Sequence, residues 1–295
     1  MGVESNSIVL FGSLSQFTHI TLKCLIRQNL PLRAIVLAAY SPSDDHPSAE
    51  KSSIFYTRSH PIVELANSND LPICYFVGDN AQLITFLHLH AASIFLLSCY
   101  PKKLPQSITQ LPARCMNIHP SKLPKFRGAD PIFWQLRSGE TETGVTLHEV
   151  TDSIDAGAIL WFTPVTYPAG ARLKTIQLIL LKEAIAGLEQ LLTAPLEDWR
   201  AQPQNHSNAS WHPAPCREDY TINCELNAQL AFNFICAYSE SSFPIAIDDG
   251  NTTYRVKDAI HIIPIDDPLG SINASESISV QFVDGTVIFL LNDKV

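Results

Sequence analysis

Paired cysteines, a membrane-length apolar run and an excess of basic charge are all missing from this 295-residue chain. The seven cysteines (Cys24, Cys74, Cys99, Cys115, Cys216, Cys224 and Cys236) are odd in number, widely spaced and without a Cys-x-x-Cys pair. This argues against a disulfide framework and reads as reduced thiols within apolar runs. No stretch approaches the roughly 18 apolar residues of a membrane span, and the acid-bearing start MGVESNSIVLFGS is too weakly apolar for a signal peptide. Asn6 stands where a myristoylation signal requires Ser or Thr. The expectation is a soluble, cytoplasmic protein with no membrane partner. With 20 Lys+Arg against 29 Asp+Glu the net charge is −9, which disfavours a phosphate-backbone binder. Phe11-Gly12-Ser13 is not followed by a Gly-x-Gly-x-x-Gly pattern, so a dinucleotide-dependent dehydrogenase is not expected.

What is present is ample apolar material. At 46% hydrophobic residues the chain can bury a sizeable core. Its length exceeds what one core usually serves, which predicts a large domain and a smaller one. Short β-branched runs (Ser7 to Phe11, Leu32 to Ala39, Pro72 to Phe76, Ser93 to Ser98, Cys115 to His119) alternate with helix-length segments (Phe17 to Gln28, Pro61 to Asn69, Asn80 to Leu89). That rhythm predicts a mostly parallel sheet with crossover helices, a Rossmann-like α/β fold. Strand runs at Thr143 to Val150 and Ile159 to Tyr167 follow, and an amphipathic helix from Leu173 to Leu192 closes the first domain, 1–192. The Pro-, Asn- and Ser-rich stretch 193–215 reads as a linker. Beyond it, 216–295 predicts one helix (Leu226 to Tyr238) and short strands (Thr253 to Val256, Ile260 to Pro264, Ser277 to Phe282, Thr286 to Leu291). Asp249-Gly250 and Asp284-Gly285 punctuate them as turns, so a small β-barrel or sandwich is expected. Residues 204–295 hold four bases and twelve acids, net −8, a field that repels phosphates.

The segment richest in chemistry is Asn117-Ile118-His119-Pro120-Ser121-Lys122-Leu123-Pro124-Lys125-Phe126-Arg127-Gly128, at the carboxyl end of a strand candidate, where open α/β sheets bind ligands. Period two puts Asn117 and His119 on one side of that strand. The turn-prone Asp152-Ser153-Ile154-Asp155-Ala156-Gly157 can bring a carboxylate to the same edge. An amide, an imidazole and a carboxylate suit acyl transfer without a covalent intermediate: donors stabilise an oxyanion while the carboxylate orients the imidazole and helps remove a proton from an amine. By spacing alone, Asn-x-His after a strand is more often a capping or hydrogen-bonding pair than a catalytic one.

These residues, together with Gly139-Glu140-Thr141-Glu142-Thr143-Gly144-Val145-Thr146 and Ile154-Asp155-Ala156-Gly157, resemble the 10-formyltetrahydrofolate-dependent formyltransferases. That family includes methionyl-tRNA formyltransferases and nucleotide-sugar N-formyltransferases, and its motif Asn-x-His-Pro-Ser-x-Leu-Pro-x-Tyr-Arg-Gly is matched almost throughout. The resemblance implies a Rossmann-like catalytic domain, an OB-like carboxy-terminal domain and 10-formyltetrahydrofolate as formyl donor. It places the catalytic trio on Asn117, His119 and Asp155. It also implies a folate cleft lined by Leu97, Ser98, Tyr100 and Leu104 on one side and by Val150, Thr151, Asp152 and Ser153 on the other. Ser121, Lys125, Arg127, Gly128 and His148 become candidates for contact with the acceptor, although Lys125 and Arg127 equally suit a solvated loop. Three positions depart from the pattern: Phe126 replaces the usual Tyr, and Pro101 and Ser153 stand where Gly is common. His119, His148 and Asp155 do not reproduce a zinc spacing such as His-Glu-x-x-His, so no metal is expected.

The family's tRNA enzymes carry a basic loop after the second strand and a positively charged second domain. Here Ser41 to His60 holds three acids and two bases, and the second domain is acidic. The expected acceptor is therefore a small primary amine, such as an amino-sugar nucleotide or an amino-acid derivative. Initiator tRNA is the alternative.

Overall fold

The computed structural model describes residues 6–38, 60–140, 142–265 and 277–291. The acid-base balance expected for Ser41 to His60 lies, apart from His60, outside the described residues. The elements run β1 (Ile8–Gly12), α1 (Gln16–Arg27), β2 (Leu32–Ala38), α2 (Pro61–Asn67), β3 (Ile73–Phe76), α3 (Asn80–Leu89), β4 (Ile94–Ser98), α4 (Gln106–Thr109) and β5 (Arg114–His119). After them come β6 (Arg127–Gly128), α5 (Pro131–Ser138), β7 (Thr143–Glu149), β8 (Ile159–Val165), α6 (Leu173–Leu192) and β9 (Trp211–His212). The last are β10 (Thr221–Asn223), α7 (Ala228–Tyr238), β11 (Ile245–Asp248), β12 (Thr253–Pro264), β13 (Ser277–Phe282) and β14 (Gly285–Leu291).

A seven-stranded sheet in the order β3-β2-β1-β4-β5-β7-β8 forms the frame. Its first five strands pair in parallel and β5 pairs antiparallel with β7, bringing Asn117 opposite His148 and His119 opposite Thr146. Strands β1 and β4 are buried at every residue, as helices on both faces require. Local signals fix the helix starts: the Ser15 hydroxyl accepts the Thr18 N–H at 3.2 Å, and Asp79 Oδ1 accepts those of Ala81 and Gln82.

The chain divides into two compact units, one comprising Met1–Arg127, Gly144–Pro164 and Leu180–Ala209, the other Gly128–Thr143, Val165–Ile179 and Ser210–Val295. These boundaries differ from the expected 1–192, 193–215 and 216–295. Most of the supposed linker is anchored to the first unit, where Gln202 exchanges two 2.8 Å backbone hydrogen bonds with Ile159 and Trp199 is buried. In the second unit α5 supplies Phe133 to an aromatic cluster with Tyr220, Phe234 and Tyr238, at centroid separations of 4.9, 5.2 and 5.1 Å. Its apolar face is what ties α5 there.

The second unit is the small strand-rich one. Five of its described strands form one sheet in the order β10-β11-β12-β14-β13, and the two-residue β9 lies outside it. The two strands expected at Thr253 to Val256 and Ile260 to Pro264 form one strand, β12, whose register against β14 shifts between Val256 and Asp258 and again between Ala259 and His261. Such bulges break the alternation in the sequence without ending the strand. Gly128, in this unit, has φ +98°, and a Cβ there would lie 2.1 Å from the His212 carbonyl oxygen, which accepts the Ala129 N–H. No described helix is long and apolar enough to cross a membrane.

Candidate active site

Strand β5 ends with Asn117 and His119, β7 brings His148 beside them, and the turn after β7 delivers Asp155. All four side chains belong to the first unit. Asn117 Nδ2 lies 3.3 Å from Asp155 Oδ1, to which it donates, and 3.2 Å from His148 Nε2. His119 Nδ1 is 3.6 Å from Asp155 Oδ2, and His148 Nε2 is 3.4 Å from Asp155 Oδ1. Both imidazoles are buried, at 3% and 2% exposure, so these contacts act in a medium of low effective dielectric.

The second nitrogen of each ring fixes its tautomer. His119 Nε2 lies 2.7 Å from the Phe126 carbonyl oxygen, which only accepts, so this nitrogen carries the hydrogen and Nδ1 turns its lone pair toward Asp155. His148 Nδ1 lies 2.9 Å from the Glu149 carbonyl oxygen, so that nitrogen donates and Nε2 presents its lone pair to Asn117 and Asp155. The Glu149 side chain is itself held by Arg114 Nη1 at 2.9 Å. Burial pulls the His119 imidazole below the ordinary histidine range; Asp155 opposes this, and the neighbouring His148 reinforces it. Resting His119 is therefore neutral near pH 7. Its lone pair against a carboxylate is a place prepared for a proton.

The turn is held under constraint. Asp155 and Phe126 adopt the left-handed region at φ 51° and 59°, uncommon for residues with a Cβ and concentrated at sites where the surroundings enforce it. Gly157 passes so close to the end of β7 that a Cβ would lie 1.8 Å from the Glu149 carbonyl oxygen. Gln204, in the segment expected to be a linker, is buried and secures the turn: its Nε2 donates to the Asp155 and Gly157 carbonyl oxygens at 2.9 and 2.7 Å. Gln204 Oε1 accepts from Arg127 Nε and Nη2 at 3.1 and 2.6 Å. Nothing in the Pro-rich sequence marks this glutamine; only the fold brings it to Asp155.

The residues expected to line the folate cleft lie at the end of β4 (Leu97, Ser98), in the loop after it (Tyr100, Leu104) and in the turn after β7 (Val150 to Ser153). Leu97 and Leu104 belong to one hydrophobic cluster against which Tyr100 and Val150 pack. Asp152 joins the loops, accepting from Gln106 Nε2 at 2.6 Å and pairing with Lys103 Nζ at 3.9 Å. Thr151 donates its hydroxyl to the Ser153 carbonyl oxygen. Ser98 turns inward, its hydroxyl 2.7 Å from that of Thr21, so its side chain serves packing against α1. Among the described residues the Tyr100 hydroxyl is buried without a hydrogen-bond partner, and burial pushes its pKa upward.

Of the residues expected to meet the acceptor, His148 joins the trio directly. Ser121 does not face solvent: it is fully buried, and its hydroxyl donates to the Lys125 carbonyl oxygen at 2.8 Å, which fixes the loop. Arg127 is engaged with Gln204 and with His206 Nδ1 at 3.0 Å. Lys125 is exposed on the loop, and Gly128 belongs to the second unit. Although their linear spacing matches no zinc motif, His119, His148 and Asp155 each offer one ligand atom, all within 4.8 Å of one another.

Residues 7–181 match the family model described as formyl transferase. The chain is 29% identical over 248 residues to the methionyl-tRNA formyltransferase of Synechococcus sp. (strain JA-2-3B'a(2-13)), covering 80% of this chain and 72% of that protein. Two solved structures share the fold at 15% identity. WlaRD, a sugar 3N-formyl transferase solved with dTDP and 5-N-formyl-THF, has a TM-score of 0.62 over 99% of this chain and 100% of that one. The N-formyltransferase of Helicobacter canadensis, in complex with folinic acid and dTDP-3-aminofucose, has a TM-score of 0.61 over 96% and 98%. With more than half its length matched to the family model and an amide, an imidazole and a carboxylate gathered at the sheet edge, this chain belongs to the formyl transferase family.

Proposed function

We propose that this protein transfers the formyl group of 10-formyltetrahydrofolate to the primary amine of a small acceptor, an amino-sugar nucleotide or an amino-acid derivative. The observation that carries the reading is the convergence of Asn117, His119 and Asp155, with both histidine lone pairs turned toward one carboxylate.

The chemistry follows from those protonation states. The amine nitrogen bonds to the formyl carbon, and the carbonyl oxygen becomes an oxyanion. Asn117 holds one of its amide hydrogens against a neutral imidazole nitrogen, and an anion outcompetes that acceptor. Such a donor is worth about 3 kcal/mol of barrier. The amine proton passes to His119 Nδ1 and Asp155, and the resulting imidazolium lies between the Phe126 carbonyl and the Asp155 carboxylate. Collapse breaks the bond from the formyl carbon to the folate nitrogen, which takes the proton and leaves as tetrahydrofolate. For the folate, the unpartnered Tyr100 hydroxyl and the loops tied by Asp152 offer a polar handle within an apolar wall.

The acidic 204–295 region, net −8, supports a small acceptor over a tRNA stem. Initiator tRNA remains the second reading because a relative 29% identical across 80% of the chain bears the name methionyl-tRNA formyltransferase. Tetrahydrofolate release measured in parallel with amino-sugar nucleotides and with charged initiator tRNA at low salt separates them. Efficient, saturable formylation of the tRNA with none of the sugars would overturn the small-acceptor reading.

A further inference from the structure

We infer that His119, His148 and Asp155 form a binding site for a divalent transition-metal ion of the Zn2+ type, and that the ion inhibits the enzyme by taking the groups that handle the proton. Three independent features point there. First, the donor atoms are already close to a coordination polyhedron. With metal–ligand bonds of about 2.0–2.1 Å, neighbouring ligands in a tetrahedron lie roughly 3.3–3.4 Å apart. His148 Nε2 and His119 Nδ1 stand 3.4 and 3.6 Å from oxygens of the Asp155 carboxylate. The set as a whole spans no more than 4.8 Å, so small side-chain rotations close it.

Second, the rings present the correct form. A ligating imidazole must offer a lone pair, and metal-binding histidines ordinarily donate their other N–H to a carbonyl or carboxylate. Here His119 Nε2 is committed to the Phe126 carbonyl and His148 Nδ1 to that of Glu149, which turns both lone pairs inward without a metal to organise them. Third, the donor set selects the ion. Two imidazoles with one carboxylate suit Zn2+, Fe2+, Ni2+ or Cu2+ and are a poor match for Mg2+ or Ca2+, which prefer oxygen. Asn117 Nδ2 presents its hydrogens to this space, so the amide must turn as the ion enters. Arg127 is the cation whose field opposes binding.

The binding claim rests on geometry alone; the inhibition claim rests also on the formyl-transfer reading. Titration of the purified protein with Zn2+ against a chromophoric indicator should reveal a site that excess Mg2+ does not compete for. The affinity should fall in His148→Gln by more than the roughly 10–100-fold typical of losing an outer-shell partner. Co2+ substitution provides a readout that does not depend on turnover: visible absorption of a low-coordinate nitrogen and oxygen site, without a sulfur charge-transfer band, and altered in Asp155→Asn. Circular dichroism confirms that each variant is folded. Zn2+ affinity unchanged in His148→Gln, or a Co2+ spectrum dominated by thiolate ligands, overturns the inference while leaving formyl transfer untouched. Turnover unaffected by Zn2+ at occupancies where the Co2+ spectrum is complete overturns the inhibition claim. Absence of formyl transfer in metal-free protein contradicts the functional reading and leaves the metal site standing.

Discussion

Replacing Gln204 tests whether the brace beneath Asp155 matters as the structure implies. The buried side chain takes part in four hydrogen bonds, two accepted from Arg127 and two donated to the carbonyls of Asp155 and Gly157. A neutral bond contributes about 1 kcal/mol net and one involving a charged group about 1.5–3 kcal/mol. Water entering the truncated site recovers part of this, so Gln204→Ala should cost about 2–4 kcal/mol in urea unfolding. Catalysis should suffer as well. Asp155 is held at φ 51°, and a carboxylate displaced by about 1 Å commonly costs on the order of a hundredfold in rate. The expected result is a kcat for tetrahydrofolate release lowered ten- to a hundredfold with a smaller change in KM. Gln204→Glu sharpens the test: it keeps an acceptor for Arg127 but loses the donors to both carbonyls, so turnover should fall as in the alanine variant. A stability loss below about 0.5 kcal/mol with kcat within twofold of wild type would refute the reasoning.

Other consequences follow from the same geometry. Because burial lowers the His119 pKa, the unfolded chain binds a proton near pH 6.5 that the native protein resists, so stability should rise with pH up to about 6.5 and fall on acidification through that window. Turnover requires the neutral ring, so the acid limb of kcat/KM should lie below 6.5; a limb centred above 7 would contradict this assignment. Asp152→Asn should raise the KM for the folate several-fold with kcat nearly unchanged, because it loosens the tie to Gln106 and Lys103. Both members of the Lys103–Asp152 pair are more than half exposed, so thermal unfolding of that variant should hardly move.

Much of the fold was legible because the parallel strands are continuous apolar runs and the helices between them carry their own starts, as Ser15 and Asp79 do. That Asn117 and His119 share one side of a strand was legible from period two, whereas grouping them with Asp155 rested on the motif resemblance. What escaped sequence reasoning depends on contacts between distant segments. Residues 193–215 looked like a linker because their periodicity is broken, yet within them the backbone of Gln202 and the side chain of Gln204 bind the first unit. Ser121 resembled an acceptor contact, and its burial emerges only once the loop folds back on Lys125. Linear spacing argued against His119, His148 and Asp155 as a metal set because they stand on β5, on β7 and in the turn beyond, and only the register of β5 against β7 brings them together.

The most direct test of the central claim is the rate of tetrahydrofolate release from 10-formyltetrahydrofolate by Asp155→Asn, measured beside wild type with a saturating amine acceptor. Asparagine tolerates the left-handed backbone at this position and keeps the side chain's size, so the substitution removes the charge and the proton acceptor while preserving the turn. The account predicts a kcat lowered by a hundredfold or more with unchanged thermal unfolding, in line with the roughly 10²–10⁴-fold contribution of a positioned acid or base. Turnover within a few-fold of wild type in that folded variant would contradict it.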